Sequence, residues 1–340
     1  MHNFRSAIKT TIIFILCVSA VSALLSELYF QGENWIYQDA KERTALSGKI
    51  DYLISGASHG MRAFKPEIID KELGVNSYNL SGALMTMQGR YELLKVELER
   101  NPVKTVVIEL TYNSMTRNRV QEGPEGDIYI LGRLGSNLSK RISLLMNAFQ
   151  LNEYGKLYYD TIDRSIRSLE KVIRGTYRTT LEEYHKGYFP TPKPDVELDD
   201  NYSKTHNTEK LETKVYEYNE KYLESIVLLC QQKGAQIILV TTPLSLSLTC
   251  ACSNLDVFYD WYTQFAKEHN IEYYDFNLLK SKQKLLADSE HFFDRTHLND
   301  SGASVFSLEF CRIMKKVNEG ENVAGLYYGS YNELDESSEY

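Results

Sequence analysis

The segment from residue 50 to residue 110 alternates short apolar runs with amphipathic runs, and this alternation constrains the fold more than any other feature. Ile50 to Ser55, Val75 to Leu80 and the β-branched run Lys104 to Leu110 are each typical of a buried strand. The pattern returns near the end, with strands predicted at Gln236 to Thr241 and Ile271 to Phe276. Helices between such strands predict a parallel sheet that is covered on both faces.

The chain between the third and fourth predicted strands breaks this alternation. Residues 116–211 are polar and helical in pattern, so we predict a helical insertion. Five basic residues recur there at spacings of three and four, which defines the basic stripe: Arg164, Arg167, Lys171, Arg174 and Arg178. The first four are candidate substrate-binding residues for an anionic polymer or lipid headgroup. A solvated face paired with acidic side chains is the alternative.

The first predicted strand runs directly into the turn Gly56-Ala57-Ser58. Open α/β sheets place their chemistry at the carboxyl edge of the strands, so Ser58 is the candidate nucleophile. The alternative is that Ser58 only caps the helix that follows. His59 and Tyr112, which follow the first and third strands, are candidate substrate-binding residues.

A second polar turn lies near the other end of the chain, where Asp294 precedes His297 by three residues. Such a turn can hold a carboxylate against one nitrogen of an imidazole while the other nitrogen faces a hydroxyl from elsewhere. Asp294 and His297 are therefore the predicted partners of Ser58. Glu109, at the end of the third strand, is a second candidate carboxylate, and its alternative role is to pair with a nearby Arg or Lys.

The Gly-Ala-Ser turn together with Asp-x-x-His-Leu-Asn-x-x-Gly at 294–302 resembles the SGNH (GDSL-like) hydrolase superfamily. Its membrane-anchored, cell-surface branch, which includes the D-alanyl-transfer protein DltD and alginate O-acetylation proteins, is the most similar. The resemblance implies a three-layer α/β/α fold with a five-stranded parallel sheet of the flavodoxin-like SGNH type. It also implies an oxyanion hole made by Ser58, Gly82 and Asn113. The third motif departs from the family pattern, since Thr111 replaces its glycine.

No metal or cofactor is predicted. His291 lies close to Asp288 and Glu290 in sequence, which suggests a metal site, but three such residues on a loop are more commonly solvated. Cys250 and Cys252 lack the second pair of ligands that a zinc site needs. Serine acyl chemistry requires no cofactor.

The N-terminus predicts the location of the protein. Arg5 and Lys9 precede an uncharged apolar run, so residues 10–30 are predicted to be a signal anchor or a cleaved signal peptide, with residues 1–9 cytoplasmic. A buried core helix is the alternative. The formal net charge of −8 argues against general nucleic-acid binding. Residues 45–318 are predicted to form the SGNH-like domain, and residues 319–340 an acidic, mobile tail.

These patterns lead to two functional hypotheses. The first is an extracytoplasmic serine esterase or O-acyltransferase at the cell membrane, acting on acyl groups of a cell-surface glycopolymer or a lipid-linked substrate. The second is a non-catalytic accessory protein of the same fold that binds the polymer or an integral-membrane acyltransferase. Hydrolysis and transfer share the same acyl-enzyme, so the residues do not separate them.

Overall fold

The computed structural model describes residues 8–21, 24, 34–117, 125–134, 137–174, 185–194, 198 and 209–337. The chain divides into two compact units. The smaller unit contains residues 1–41 and 131–182, and the larger contains residues 42–130 and 183–340. Each unit is described by itself.

The larger unit is built on a five-stranded sheet in the order β2-β1-β3-β4-β5, with every neighbouring pair parallel. The strands are β1 (Tyr52–Ser55), β2 (Ser77–Asn79), β3 (Thr105–Glu109), β4 (Gln236–Thr241) and β5 (Glu272–Asp275). The predicted fold class is therefore confirmed. β4 has the predicted bounds, and the other four strands are shorter than the runs that predicted them, because the ends of those runs lie in the connecting loops.

Helices cover both faces of this sheet. They are Ser58–Ala63, Pro66–Leu73, Met87–Arg100, Glu217–Gln232, Leu246–Ala251, Leu255–His269, Lys282–Leu285, Asp288–His291, Asp300–Asn318 and Tyr331–Ser337, with a 3₁₀ turn at Ala324–Leu326. Successive side chains of a strand point to opposite faces. Val106 and Ile108 accordingly lie in one apolar core, together with Leu94 and Phe258, and Val107 lies in the other core. Two cores separated by one sheet make a three-layer unit.

The smaller unit is helical over its described residues. Its helices are residues 8–21, Leu138–Ala148 and Leu151–Ile173, and two further helices, Asn34–Ala45 and Glu125–Arg133, cross from one unit to the other. A buried ion pair joins two of them, with Arg133 donating to Asp39 at 2.8 and 3.0 Å. The helical character predicted for the insertion is confirmed over its described residues, and residues 131–182 of the smaller unit lie within the predicted insertion, 116–211.

The structure of the N-terminal segment contradicts one of its two interpretations, the buried core helix. Residues 8–21 form a helix whose apolar side chains are exposed, such as Phe14 and Leu16, so the buried core helix is wrong. Among the described residues, no helix is both long enough and apolar enough to cross a bilayer. Ser22 and Ala23, inside the predicted signal segment, lie outside the described residues.

The C-terminal segment is folded against the larger unit. Tyr331 and Leu334 are buried in an apolar cluster with Leu278, and the Tyr331 hydroxyl donates to Asp275 at 2.9 Å. The prediction of a mobile tail is therefore wrong over residues 319–337. The tail is acidic, but the apolar side chains of Tyr331 and Leu334, on one short helix, anchor it to the larger unit.

Candidate active site

Ser58 stands at the carboxyl edge of β1, where the strand turns into a short helix. Ala57 is the N-cap residue of that helix and Ser58 is its first helical residue. The Ser58 side chain does not cap the helix; its Oγ lies 2.8 Å from His297 Nε2. The capping interpretation of Ser58 is therefore wrong.

Asp294 completes a hydrogen-bonded array with Ser58 and His297. His297 Nδ1 lies 2.8 Å from Asp294 Oδ2 and 3.0 Å from Oδ1. Because a carboxylate only accepts, the Nδ1 atom carries the proton, and Nε2 is left to accept from the Ser58 hydroxyl. Ser58 and His297, 239 residues apart in the chain, meet in the hydrogen-bond order of a Ser–His–Asp triad. The predicted array is confirmed.

The Asp294 carboxylate is held by more than the imidazole. Its Oδ1 accepts from Thr296 N at 2.8 Å, from Thr296 Oγ1 at 2.7 Å and from His297 N at 2.9 Å. Burial alone would raise the pKa of Asp294, but the hydrogen bonds from His297 and Thr296 outweigh it and hold that pKa well below its ordinary value. The carboxylate therefore stays ionised opposite the imidazole. Thr296 stands inside the Asp-x-x-His turn but was not among the predicted site residues.

The loop that carries His297 is fixed by the residues of the motif that follow it. Asn299 caps the final long helix by accepting from Gly302 N at 3.0 Å, and its side-chain amide donates to Glu290 O at 2.9 Å. A Cβ atom on Gly302 would lie 2.0 Å from His291 O, so only glycine fits there. Asn299 and Gly302 therefore set the position of the loop without touching the nucleophile.

The three predicted oxyanion donors differ in whether their N–H groups are already used inside the fold. Gly82 N donates to Gly56 O at 3.2 Å, so the N–H of Gly82 is already used inside the fold and this prediction is wrong. The N–H groups of Ser58 and His59 have no acceptor among the described residues. Asn113 accepts from Thr111 through Oδ1 at 2.8 Å, which turns its amide nitrogen away from Thr111 and leaves it without an acceptor in the described part of the chain.

His59 lies against the triad. Its ring stacks on the His297 ring, with centroids 4.6 Å apart and planes at 23°. Both ring nitrogens are buried and have no hydrogen-bond partner among the described residues. Burial, with a smaller contribution from the neighbouring His297, lowers the pKa of His59 to about 3. His59 is therefore neutral at physiological pH, so the stacked pair carries at most one positive charge.

A cavity of about 650 Å³ opens beside Ser58 within the larger unit. Ser58, His59, Asn113 and Tyr112 line it, so the structure brings together two of the six candidate substrate-binding residues and two of the three predicted oxyanion donors. Tyr216 adds a second aromatic side chain to the wall. Tyr216 was not predicted, because nothing local marks it and it enters the site from a segment about 150 residues further along the chain than Ser58.

The basic stripe belongs to the smaller unit. Arg167 pairs with Asp163 at 2.8 Å and Arg174 pairs with Glu170, and both arginine side chains are about 70% exposed. These acids lie on the same helix, which favours the solvated-face interpretation over the part that is described. The side chains of Arg164 and Lys171, and all of Arg178, lie outside the described residues.

The residues weighed as metal or thiol sites have structural roles. Asp288 accepts from the backbone of Leu246 at 2.7 Å and of Ser247 at 2.9 Å, and the His291 ring contacts Ala287. No cluster of His, Cys, Asp or Glu within the described ranges could hold a metal ion. All five cysteines are free thiols.

No family model and no curated protein matches this chain. Solved structures that are similar to it include a member of the lipolytic protein G-D-S-L family from Veillonella parvula, with 13% identity and a TM-score of 0.38, covering 78% of this chain and 99% of that one. A lipase/acylhydrolase from Enterococcus faecalis has 12% identity and a TM-score of 0.38, covering 79% and 97%. A GDSL-like lipase from Bacteroides thetaiotaomicron has 10% identity and a TM-score of 0.38, covering 83% and 98%. At such low identities and scores these likenesses carry no weight beside the sheet order and the side-chain geometry.

Proposed function

We propose that this protein is a serine esterase or O-acyltransferase that works through an acyl-enzyme on Ser58. The observation that carries the proposal is the continuous array of Ser58 Oγ, the His297 ring and the Asp294 carboxylate, with each link at 2.8 Å. That geometry satisfies the first requirement for general-base catalysis, which is that the base lies within hydrogen-bond reach of the hydroxyl proton.

In the first half of the reaction, Ser58 Oγ attacks the carbonyl carbon of an ester while His297 Nε2 takes the hydroxyl proton. The bond from that carbon to the leaving oxygen then breaks, and His297 returns the proton to the leaving alcohol. Between these two proton transfers, the Asp294 carboxylate balances the positive charge of the His297 imidazolium. The carbonyl oxygen, negative in the intermediate, is stabilised by the N–H groups of Ser58 and His59 and by the amide of Asn113.

In the second half, His297 takes a proton from an acceptor hydroxyl, and that oxygen attacks the acyl carbon. The bond from the acyl carbon to Ser58 Oγ then breaks, and His297 returns the proton to Ser58 Oγ. Water as acceptor gives hydrolysis, and a sugar or other alcohol gives transfer. We propose an acylated cell-surface glycopolymer or lipid-linked sugar as substrate. The support is the apolar N-terminal segment, typical of extracytoplasmic proteins, and a cavity that presents the aromatic faces of Tyr112 and Tyr216 beside polar groups.

A fluorophosphonate probe tests the chemistry, because it reacts with an activated serine and with little else. The wild-type protein should be labelled, Ser58→Ala should not, and Ser225→Ala, on an exposed helical face, should be labelled like the wild type. Labelling of Ser58→Ala at the wild-type rate would rule out Ser58 as the nucleophile. Release of a free acid from an acylated polysaccharide, or its transfer to an added alcohol, then separates hydrolysis from transfer.

A second candidate function, a non-catalytic accessory protein of the same fold, is favoured by one observation. Gly82 N is bound to Gly56 O, so the oxyanion hole lacks one of its predicted donors. Under this alternative, the wild-type protein binds the polymer but shows no labelling above that of Ser58→Ala. The same probe experiment therefore decides between the two functions.

A further inference from the structure

A buried carboxylate lies directly beneath the turn that carries Ser58. Glu109 ends β3, next to β1, and its side chain is fully buried. Its Oε2 accepts from Ala57 N at 2.9 Å, and Gly60 N also donates to this carboxylate. Ala57 and Gly60 flank the pair Ser58-His59. The two hydrogen bonds therefore bracket the nucleophile.

The glycines on either side of Ser58 make this approach possible. A Cβ atom on Gly56 would lie 2.5 Å from Glu109 Oε2, and one on Gly60 would lie 3.2 Å from Glu109 Cβ. Any larger residue at 56 would displace the carboxylate. Glu109 therefore requires a glycine at 56, whereas a Cβ atom at 60 would first meet Ser81 Oγ at 2.7 Å.

Arg90 supports the carboxylate from the opposite side. It is buried, its Nη1 donates to the Glu109 carbonyl oxygen, and its Nη2 lies 3.9 Å from Glu109 Oε2. Burial raises the pKa of Glu109, while Arg90 and the two backbone N–H groups act against that rise. An arginine on the helix Met87–Arg100, a glutamate on β3 and the turn after β1 therefore form one buried polar unit.

We infer that Glu109 is a positioning residue for the nucleophile. Its carboxylate accepts hydrogen bonds from the N–H groups of Ala57 and Gly60. These bonds fix the turn so that Ser58 Oγ lies against His297. The N–H groups of Ser58 and His59 stay available to a substrate oxygen. Glu109 touches neither the substrate nor the reacting atoms. This inference rests on the proposed acyl-enzyme chemistry.

The test measures the rate of fluorophosphonate labelling separately from the amount of folded protein. Full-length protein in detergent is treated with increasing probe to obtain the maximal rate constant, the probe concentration at half that rate, and the final labelled fraction. Glu109→Gln keeps one oxygen that can accept from Ala57 N but removes the negative charge, and it places an NH₂ group where Oε1, which has no hydrogen-bond partner among the described residues, now lies. Glu109→Leu removes both acceptors.

The chain offers a matched control in Glu97. It is also a fully buried glutamate paired with a buried arginine, Arg43, at 2.6 Å, but it makes no contact with the nucleophile turn. Glu97→Gln should lower the melting temperature as Glu109→Gln does, because each removes a negative charge that faces a buried arginine. It should leave the maximal labelling rate at the wild-type value.

We expect Glu109→Gln to lower the maximal rate about tenfold and Glu109→Leu to lower it on the order of 100-fold, since small misplacements of reacting groups have effects of this size. The half-saturating probe concentration and the final labelled fraction should stay within about twofold of the wild type. Should Glu109→Leu fail to fold, the near-isosteric Gln variant decides alone.

Two results would overturn the inference. One is a maximal rate for Glu109→Gln within about twofold of the wild type; the other is an equal fall for Glu97→Gln, which would mark a general effect of losing a buried charge. Failure of the proposed function gives a different result, because the wild type itself would then label no faster than Ser58→Ala.

Discussion

The buried His59 predicts a specific loss of stability in acid. Burial, with a smaller contribution from His297, lowers the pKa of His59 from 6.5 to about 3. The unfolded chain therefore binds this proton more readily than the folded chain. The corresponding stability is fully present above pH 6.5 and is lost as the pH falls toward 3.

The size of the effect follows from the two pKa values. The full shift corresponds to about 5 kcal/mol, at about 1.4 kcal/mol per unit, and about 2 kcal/mol of it is lost between pH 7 and pH 5. At pH 5, His59 in the folded protein is still almost entirely neutral. The loss of about 2 kcal/mol between pH 7 and pH 5 therefore depends on the pKa of His59 in the unfolded chain. Because a whole domain is stable by only about 5–15 kcal/mol, the loss is readily measured.

The assay is urea unfolding at pH 7 and pH 5, comparing the wild type with His59→Phe. Phenylalanine keeps a ring against His297 but cannot titrate, and every other titrating group is common to both proteins. The wild type should lose about 2 kcal/mol more than the variant over this interval. His185→Gln, at an exposed histidine, should behave like the wild type. Equal losses in the wild type and His59→Phe would refute the argument from burial.

Two further predictions concern Asp294 and the basic stripe. Asp294→Asn should lower kcat for p-nitrophenyl acetate by on the order of 10³–10⁴-fold with little change in KM, because an amide no longer holds the His297 tautomer; a loss below about tenfold would contradict the role of Asp294. The triple change of Arg167, Lys171 and Arg174 to Gln should weaken binding to anionic vesicles or polymer, by less as salt rises, and leave turnover of that neutral ester intact. Unchanged binding at low salt would establish the solvated face.

The parts of the fold and site that were predictable are those with local signals. The apolar run of β1 and the turn after it mark Ser58, and the Asp-x-x-His spacing marks a carboxylate and an imidazole on one loop. Parallel strands then bring turns from distant parts of the chain to one edge of the sheet. That rule was sufficient to predict the contact between Ser58 and His297.

The parts that were missed depend on hydrogen bonds between distant segments. Gly82 has the position of an oxyanion donor in the motif, but its N–H donates to Gly56 O. This hydrogen bond depends on the register between β1 and the loop after β2, which has no local signal in the sequence. Glu109 was identified as a carboxylate of interest, yet its contact with Ala57, 52 residues away, has no local signal. The tail was misjudged because Tyr331 is anchored by Asp275 on a strand.

The pairing of Glu109 with Arg90 also explains how a carboxylate can lie so close to a site that must stabilise an oxyanion. An unpaired negative charge about 4 Å from another costs on the order of 4 kcal/mol near a protein surface, enough to cancel the gain from one oxyanion donor. Arg90 Nη2, 3.9 Å from Oε2, supplies the opposing charge. The carboxylate can therefore hold the backbone of Ala57 in place without repelling the charge that develops beside Ser58. Arg90→Gln should then slow labelling of Ser58, although the contacts that carry this effect are those of Arg90 with Glu109; labelling at the wild-type rate would contradict it.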